Sequence, residues 1–456
     1  MKKIVILALV ALLAVAFTMP ASAMENVFGG YWRTRAYTNQ NFTGDDSEMQ
    51  DWTVVDTRCR LYYTAILNDN LKLVNKFEMD ATWGDQGSYG DIGADGVKLE
   101  IKNSYGDFNV GPVNAKIGVQ GMAIARGFFF DDDFAGAVVS YSDDIVTFPL
   151  IWMKAYEGGE GHNRRDVDYY GIAPSFNLGT VTLNPFAVYA TSDNARDWEN
   201  SNDYYDTEVN VSNFDDVDLY YAGVNLDADL GMGSVWLTGI YQGGEVELKD
   251  TENTSDFKAY LGAAGVAVNL GPVEVHGQGF YASGQPADDE NEEDITGFWV
   301  PKGQSYYWSE IMGYGTFDNG VSKNSPADQI GNIMAGNIGV TFKPMPDLSI
   351  SLDGWYAKLA EDSYVYNGKA YGAGGLAKLA NSDKDEDNEL YDDILDKGKK
   401  ESELGIEANL TITYQLVKGL SVDVVGAYLF AGDLTTCSVK NEENPYEVGT
   451  RLSLSF

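Results

Sequence analysis

Ten basic side chains sit at positions where the neighbouring residues are apolar. Arg33 and Arg35 oppose Phe28, Trp32 and Ala36, and Arg58 and Arg60 alternate with Cys59 and Leu61. Lys72 and Lys76 alternate with Leu71, Leu73 and Phe77, and Lys98 and Lys102 with Val97, Leu99 and Ile101. Lys116 lies between Ala115 and Ile117, and Arg451 between Thr450 and Leu452. Period-two alternation puts successive side chains on opposite faces of a strand, so these cations share one face and apolar residues take the other. Such a face can attract anions or orient dipolar solutes. Alternatively it is a solvated surface neutralised by Glu78, Asp80 and Glu100.

A second chemical cluster is Arg126, then Phe128, Phe129 and Phe130, then Asp131, Asp132, Asp133 and Phe134. The rings require burial and the carboxylates require water or cations. A loop folded into a water-filled interior satisfies both demands; a loop capping an outer rim is the alternative. Two acidic stretches, 286–294 and 381–403, do not reproduce a calcium-loop spacing, and they read as solvated charge with at most loose divalent-cation binding.

Catalytic material is scarce. The two histidines, His162 and His276, and the two cysteines, Cys59 and Cys437, have no spacing that builds a nucleophile–base pair, a metal centre or a haem attachment. The expectation is no enzyme activity, no cofactor and no resident metal. With Asp+Glu 69 against Lys+Arg 31 and a net charge of −38, no nucleic acid partner is expected.

The elements that must hold these residues are strands. Leu404, Ile406, Ala408, Leu410 and Ile412 alternate with Glu403, Glu407, Asn409 and Thr411, and Leu420, Val422 and Val424 alternate with Ser421 and Asp423. Tight turns are expected at Asn68-Asp69-Asn70, Gly111-Pro112, Ser142-Asp143-Asp144, Leu178-Gly179, Gly231-Met232-Gly233, Gly271-Pro272, Met345-Pro346-Asp347 and Lys418-Gly419. Longer polar segments separate successive pairs, the third at roughly 122–134. Short turns at one end and long loops at the other are the asymmetry of transmembrane β-barrels. The count predicts an all-β, antiparallel, up-and-down transmembrane barrel of about 18 strands, with 16 as the alternative, short periplasmic turns and long extracellular loops.

The first 23 residues read as a signal peptide: Lys2 and Lys3, an apolar run from Ile4 to Phe17, and the small-residue site Ala21-Ser22-Ala23. Residues 24–456 then form one barrel domain. Leu452, Leu454 and Phe456 lie on the apolar face of the last strand. They resemble the terminal strand of bacterial outer-membrane barrels, whose final aromatic residue is read by the barrel-assembly machinery.

With the leader, the strand–turn rhythm, the stretch GMAIARGFFFDDDFAG over 121–136 and Phe456 in view, the chain resembles outer-membrane porins. The resemblance is closest to those of metal-reducing and sulfate-reducing deltaproteobacteria. It implies a diffusion channel in the outer membrane of a Gram-negative bacterium, commonly a homotrimer, for ions and small hydrophilic solutes. It also implies contact with lipid and lipopolysaccharide, and a third loop that narrows the channel. Two other readings stay open at this point: a sleeve for an outer-membrane cytochrome partner, and a soluble surface β-protein.

Overall fold

The alternating stretches do become strands. The structure is a computed structural model that describes residues 24–45, 51–93, 98–157, 166–192, 214–248, 254–287, 294–380, 382 and 384–456. The expected signal peptide, His162 and most of the first acidic stretch lie outside the described residues.

The first half of the sheet comprises β1 (Glu25–Gln40), β2 (Trp52–Asn68), β3 (Leu71–Thr82), β4 (Leu99–Val110), β5 (Val113–Ile124), β6 (Phe130–Ser142), β7 (Val146–Tyr156), β8 (Val167–Ile172, continued by Ser175–Asn177) and β9 (Val181–Ser192). The second half comprises β10 (Phe214–Asp229), β11 (Gly233–Leu248), β12 (Thr254–Leu270), β13 (Val273–Ala282), β14 (Ile333–Met345), β15 (Leu348–Tyr366), β16 (Lys399–Val417), β17 (Leu420–Ala431) and β18 (Tyr446–Ser455). Each strand pairs antiparallel with the next. β18 returns to β1 with Arg451 opposite Arg35, which closes an 18-strand barrel. All eight expected turns fall between strands, so the count of 18 holds and 16 does not.

Closure leaves no sheet edge, the condition for backbone to cross a bilayer without helices. Among the described residues no helix is long and apolar enough to cross a membrane. At the seam, Gly30 N–H donates to the Phe456 carbonyl at 2.9 Å and Phe456 N–H donates back to Gly30 at 3.2 Å. A Cβ on Gly30 would lie 2.4 Å from the Phe456 ring, so glycine makes room for the terminal aromatic.

The outer face carries large apolar side chains in the open: Ile338 is 70% exposed and Leu352 59%, with Leu61, Leu73, Leu150, Trp152, Leu237, Ile406 and Phe430 also exposed. An apolar belt on a closed barrel is a surface for lipid.

The interior is divided. From β6 to β13 the inward positions are Phe134, Met153, Tyr169, Phe186, Leu219, Tyr221, Phe257, Leu261 and Phe280, all buried. From β16 round to β5 they are Arg33, Arg35, Glu78, Asn103, Gln120, Glu407, Asn409, Asp423 and Glu447, also buried. One difference from the sequence expectation is helical. The last large loop holds α1 (Ala373–Ala380) and α2 (Asp385–Lys397), which pack Leu376 and Ile394 with Tyr364. The acidic run was read only as charge, yet Asp385, Glu386 and Asp387 occupy the first turn of α2, where they favour its positive end.

Candidate channel constriction

Two segments fold into the barrel. The tip between β5 and β6 is only 125–129, shorter than the loop expected over 122–134. Ala125 and Arg126 have positive φ (53° and 60°), and this turns Phe128 and Phe129 inward to zero exposure. The longer inward segment is a different one, the connection between β13 and β14, described over 283–287 and 294–332. Its Phe298, Trp299, Val300, Trp308, Ile311, Met312 and Ile330 are buried in one apolar cluster with the rings of the β5–β6 tip and of the wall.

Polar anchors fix its register. Gln242 of β11 accepts from Trp299 N–H at 2.8 Å, and the Tyr221 hydroxyl donates to the Trp299 carbonyl at 2.7 Å. Gln304 donates to the Phe128 carbonyl at 2.7 Å, and Asp131 N–H donates to the Gly303 carbonyl at 2.7 Å, which joins the two inward segments. Tyr306 stacks on Phe128 with centroids 3.9 Å apart and donates to Gln278 at 2.8 Å.

On the charged side the decisive group is Glu407 of β16, which is fully buried. One of its carboxylate oxygens accepts N–H from Glu310 and Ile311 at 2.8 and 3.0 Å, and the other accepts from Met312 at 3.0 Å. Each bond to a charged acceptor contributes about 1.5–3 kcal/mol, offset in part by burying the carboxylate. Sequence reading placed Glu407 on an inward face and gave it no role. The signal that could have marked it is the persistence of a carboxylate into the middle of the strand, beyond Glu401 and Glu403 at its start, where Asn409, Thr411 and Thr413 are uncharged.

The basic positions converge, but as pairs. Arg35 binds Asp56 at 2.6 Å and also Asp318 of the inward segment, and Arg33 lies 3.4 Å from Asp318. Arg58 binds Asp80 at 2.7 Å and lies 3.7 Å from Glu78, which also holds Arg60. Arg451 binds Asp423 at 2.9 Å. The five arginines therefore face Asp56, Glu78, Asp80, Asp318 and Asp423, and the wall is a ladder of ion pairs rather than a bare positive surface. Lys72, Lys76 and Lys116 keep inward parity without an ion pair among the described residues. Lys76 lies over the Tyr62 ring at 5.3 Å, and Lys72 and Lys116 flank Asp107 in register. Lys102 falls in a bulge opposite β3 and lies 3.5 Å from Asp133, while Lys98 precedes β4 and is exposed.

The acidic trio is placed differently from its expectation. Asp131, Asp132 and Asp133 belong to β6 rather than to a loop spanning the water, and only Asp132 shares the inward parity of Phe130 and Phe134. Asp133 is spoken for by Asn103 at 2.6 Å and by Lys102. Arg126 pairs with Asp227 and lies 4.7 Å from the Trp236 ring centroid. Of the carboxylates that face the arginine ladder, Asp56, Glu78, Asp80 and Asp423 come from the strands and Asp318 from the inward segment. Around Tyr307 the fields of both sides meet: burial raises its phenol to about 12, Asp318 and Asp328 push the same way, and Arg58 opposes them. Burial likewise raises the Asp328 carboxyl, against a hydrogen bond from Ser305 at 2.8 Å. His276 of β13 lies 2.8 Å from Asp353, and no group of three metal-binding side chains occurs among the described residues.

No family model matches the chain, and no curated protein does. Solved structures with the same fold do exist. OccK8 (OprE) of Pseudomonas aeruginosa superposes with a TM-score of 0.54 at 10% identity, covering 95% of this chain and 98% of that one. The outer membrane protein opdK of the same organism gives 0.53 at 8% identity, covering 95% and 98%. OccAB4 of Acinetobacter baumannii gives 0.52 at 8% identity, again covering 95% and 98%. At such identities the likeness establishes the barrel fold alone.

Proposed function

We propose that the chain is an outer-membrane channel for passive diffusion of ions and small hydrophilic solutes. The observation that carries this reading is the pairing of an apolar outer belt with an inner wall that buries ions and amides from β16 round to β5. An outer belt of this kind counts against a soluble surface protein. An interior occupied by its own aromatic segment counts against a sleeve for a cytochrome. The polar interior offers hydrogen bonds and paired ions, which favours hydrated solutes over apolar ones. Narrowing falls to 303–332, with Arg33, Arg58, Arg60, Lys72, Lys76, Lys116 and Arg451 on the facing wall.

Export by residues 1–23, recognition of Leu452, Leu454 and Phe456 by an assembly machinery, trimer formation and contact with lipopolysaccharide belong to the same reading. So does kinship with porins of metal- and sulfate-reducing deltaproteobacteria, which the 121–136 stretch supports. Purified protein in a planar bilayer tests the central claim. Stepwise conductance is expected, and folded protein that never conducts would overturn the reading.

A further inference from the structure

Below the inward segment the interior widens into a chamber of about 500 Å³, a volume typical of small-molecule sites. The charges in its lining are already matched by the protein itself. Asp353 accepts from His276 at 2.8 Å, from Asn337 at 2.9 Å and from Ser351 at 2.9 Å, which occupies both carboxylate oxygens. Arg451 donates to Asp423 at 2.9 Å. Glu310 accepts from the N–H of Thr316 at 2.5 Å and from its hydroxyl at 2.9 Å. An ionic guest would meet charges that already have partners within the wall.

What remains available is of another kind. Tyr307 is 49% exposed on the chamber, and the Trp236 ring, with Arg126 stationed over it, is partly open. Gln278, Asn337 and Thr411 add amide and hydroxyl groups to the same lining. Ser309 Oγ, His276 Nδ1 and Asn409 Oδ1 of the lining residues have no hydrogen-bond partner but are themselves buried, so a guest's hydroxyls would be met by Gln278, Asn337 and Thr411 instead. Flat aromatic faces beside amides and hydroxyls suit a guest with apolar C–H faces and a rim of hydroxyls.

We propose that this chamber binds a neutral saccharide of mono- to disaccharide size, with a C–H face on Tyr307 or Trp236 and its hydroxyls on the polar lining. The proposal rests on the channel reading above and adds a solute class to it. The test uses the full chain in a planar bilayer with glucose and maltose as probes. A polyethylene glycol of matched size controls for simple obstruction, and gluconate is the charged comparison.

The sugars should lower the ion current with saturation in the millimolar range, and the polymer should not saturate. Tyr307→Ala should raise the half-blocking concentration about two- to tenfold, the scale of one aromatic contact. A conducting channel whose current responds to sugar only as it does to polymer would overturn the proposal and leave the channel reading intact. Tighter block by gluconate than by glucose would also overturn it, by assigning the chamber to anions. If the protein folds but does not conduct, the channel reading fails. Tryptophan fluorescence of the detergent-solubilised protein then decides the chamber separately: a saturable change with glucose supports binding and a flat titration overturns it.

Discussion

The two halves of the barrel interior are built on the same strand alternation and behave oppositely. Between β6 and β13 the inward positions carry rings and aliphatic chains, and the inward segment seals onto them. From β16 round to β5 many of them carry ions and amides, and the segment meets this side at Glu407, Arg33, Arg35 and the Tyr37 ring, on which Phe317 stacks at 4.7 Å. A buried aromatic or large aliphatic side chain contributes about 1.5–3 kcal/mol, whereas an ion pair in contact with water contributes about 0–1 kcal/mol. The apolar half therefore supplies adhesion, and the charged half is the side along which we place the proposed passage. Strand parity decides only which residues look inward. Their chemistry decides whether that side becomes core or channel.

The comparison breaks first at the aromatic contact. Phe129→Ala removes a ring with zero exposure that packs 4.8 Å from Tyr221 and 5.5 Å from Phe186. A loss of about 3–5 kcal/mol is expected, read as an earlier unfolding midpoint in detergent together with a larger, noisier single-channel current. Unchanged stability would mean that adhesion comes from elsewhere.

Glu407→Gln tests the opposite side. The amide keeps the shape but replaces an acceptor oxygen with a donor, which leaves one or two of the three N–H groups unmatched. A cost of about 1–3 kcal/mol should fall on the seating of 310–312. Flicker of the open current should increase while the heat-resistant barrel survives. Unfolding of the whole barrel would show that the anchor supports more than the inward segment.

A smaller effect is expected from the ladder. Arg58→Glu combined with Arg60→Glu should move the reversal potential toward cations in a salt gradient. Because Asp80 and Glu78 already balance these arginines, the replacement leaves four uncompensated carboxylates, and Lys76 is the neighbouring cation that offsets them. No movement in a conducting channel would take both side chains off the solute path.

The smallest effect concerns pH. Asp328 has its carboxyl raised above 3.8 by burial, so the docked segment favours its neutral form. That contribution is complete below 3.8 and is lost as pH rises through the raised value. Asp328→Asn should hold the segment in its low-pH condition and flatten the pH dependence of current noise above 3.8. An unaltered pH profile would show that another group governs it.

Much of this architecture was legible because a barrel repeats one rule. The Gly111-Pro112 and Gly271-Pro272 breaks and the alternation through 403–416 report local geometry, and local geometry is what periodicity records. Inward parity of Arg33, Arg58 and Arg451 was readable for the same reason. Their partners were less so: Glu78 and Asp80 sit one strand away, but Asp318 is far off in sequence, and only closure brings it to Arg35. The longer inward segment was not legible for a related cause. Three phenylalanines beside three aspartates signal a buried tip strongly, and they do bury. Residues 298–312 hold two such clusters, Phe298-Trp299-Val300 and Tyr306-Tyr307-Trp308, but no strand alternation ties them to a wall, and their burial depends on strands far off in sequence.

Both ends of the inward segment hang from neighbouring strands, at Ala282 and Ile333, which pair with each other. The segment is therefore a pendant that swings in from one rim, and nothing has to be threaded through the closed cylinder. Cylinder closure and docking become separable events in time. Insertion should first yield a wide conductance, followed by a slower decline as Phe298, Trp299 and their neighbours leave water for the wall. The history of a single molecule entering the membrane would thus be written in its current as two steps, one for the vessel and one for its partition.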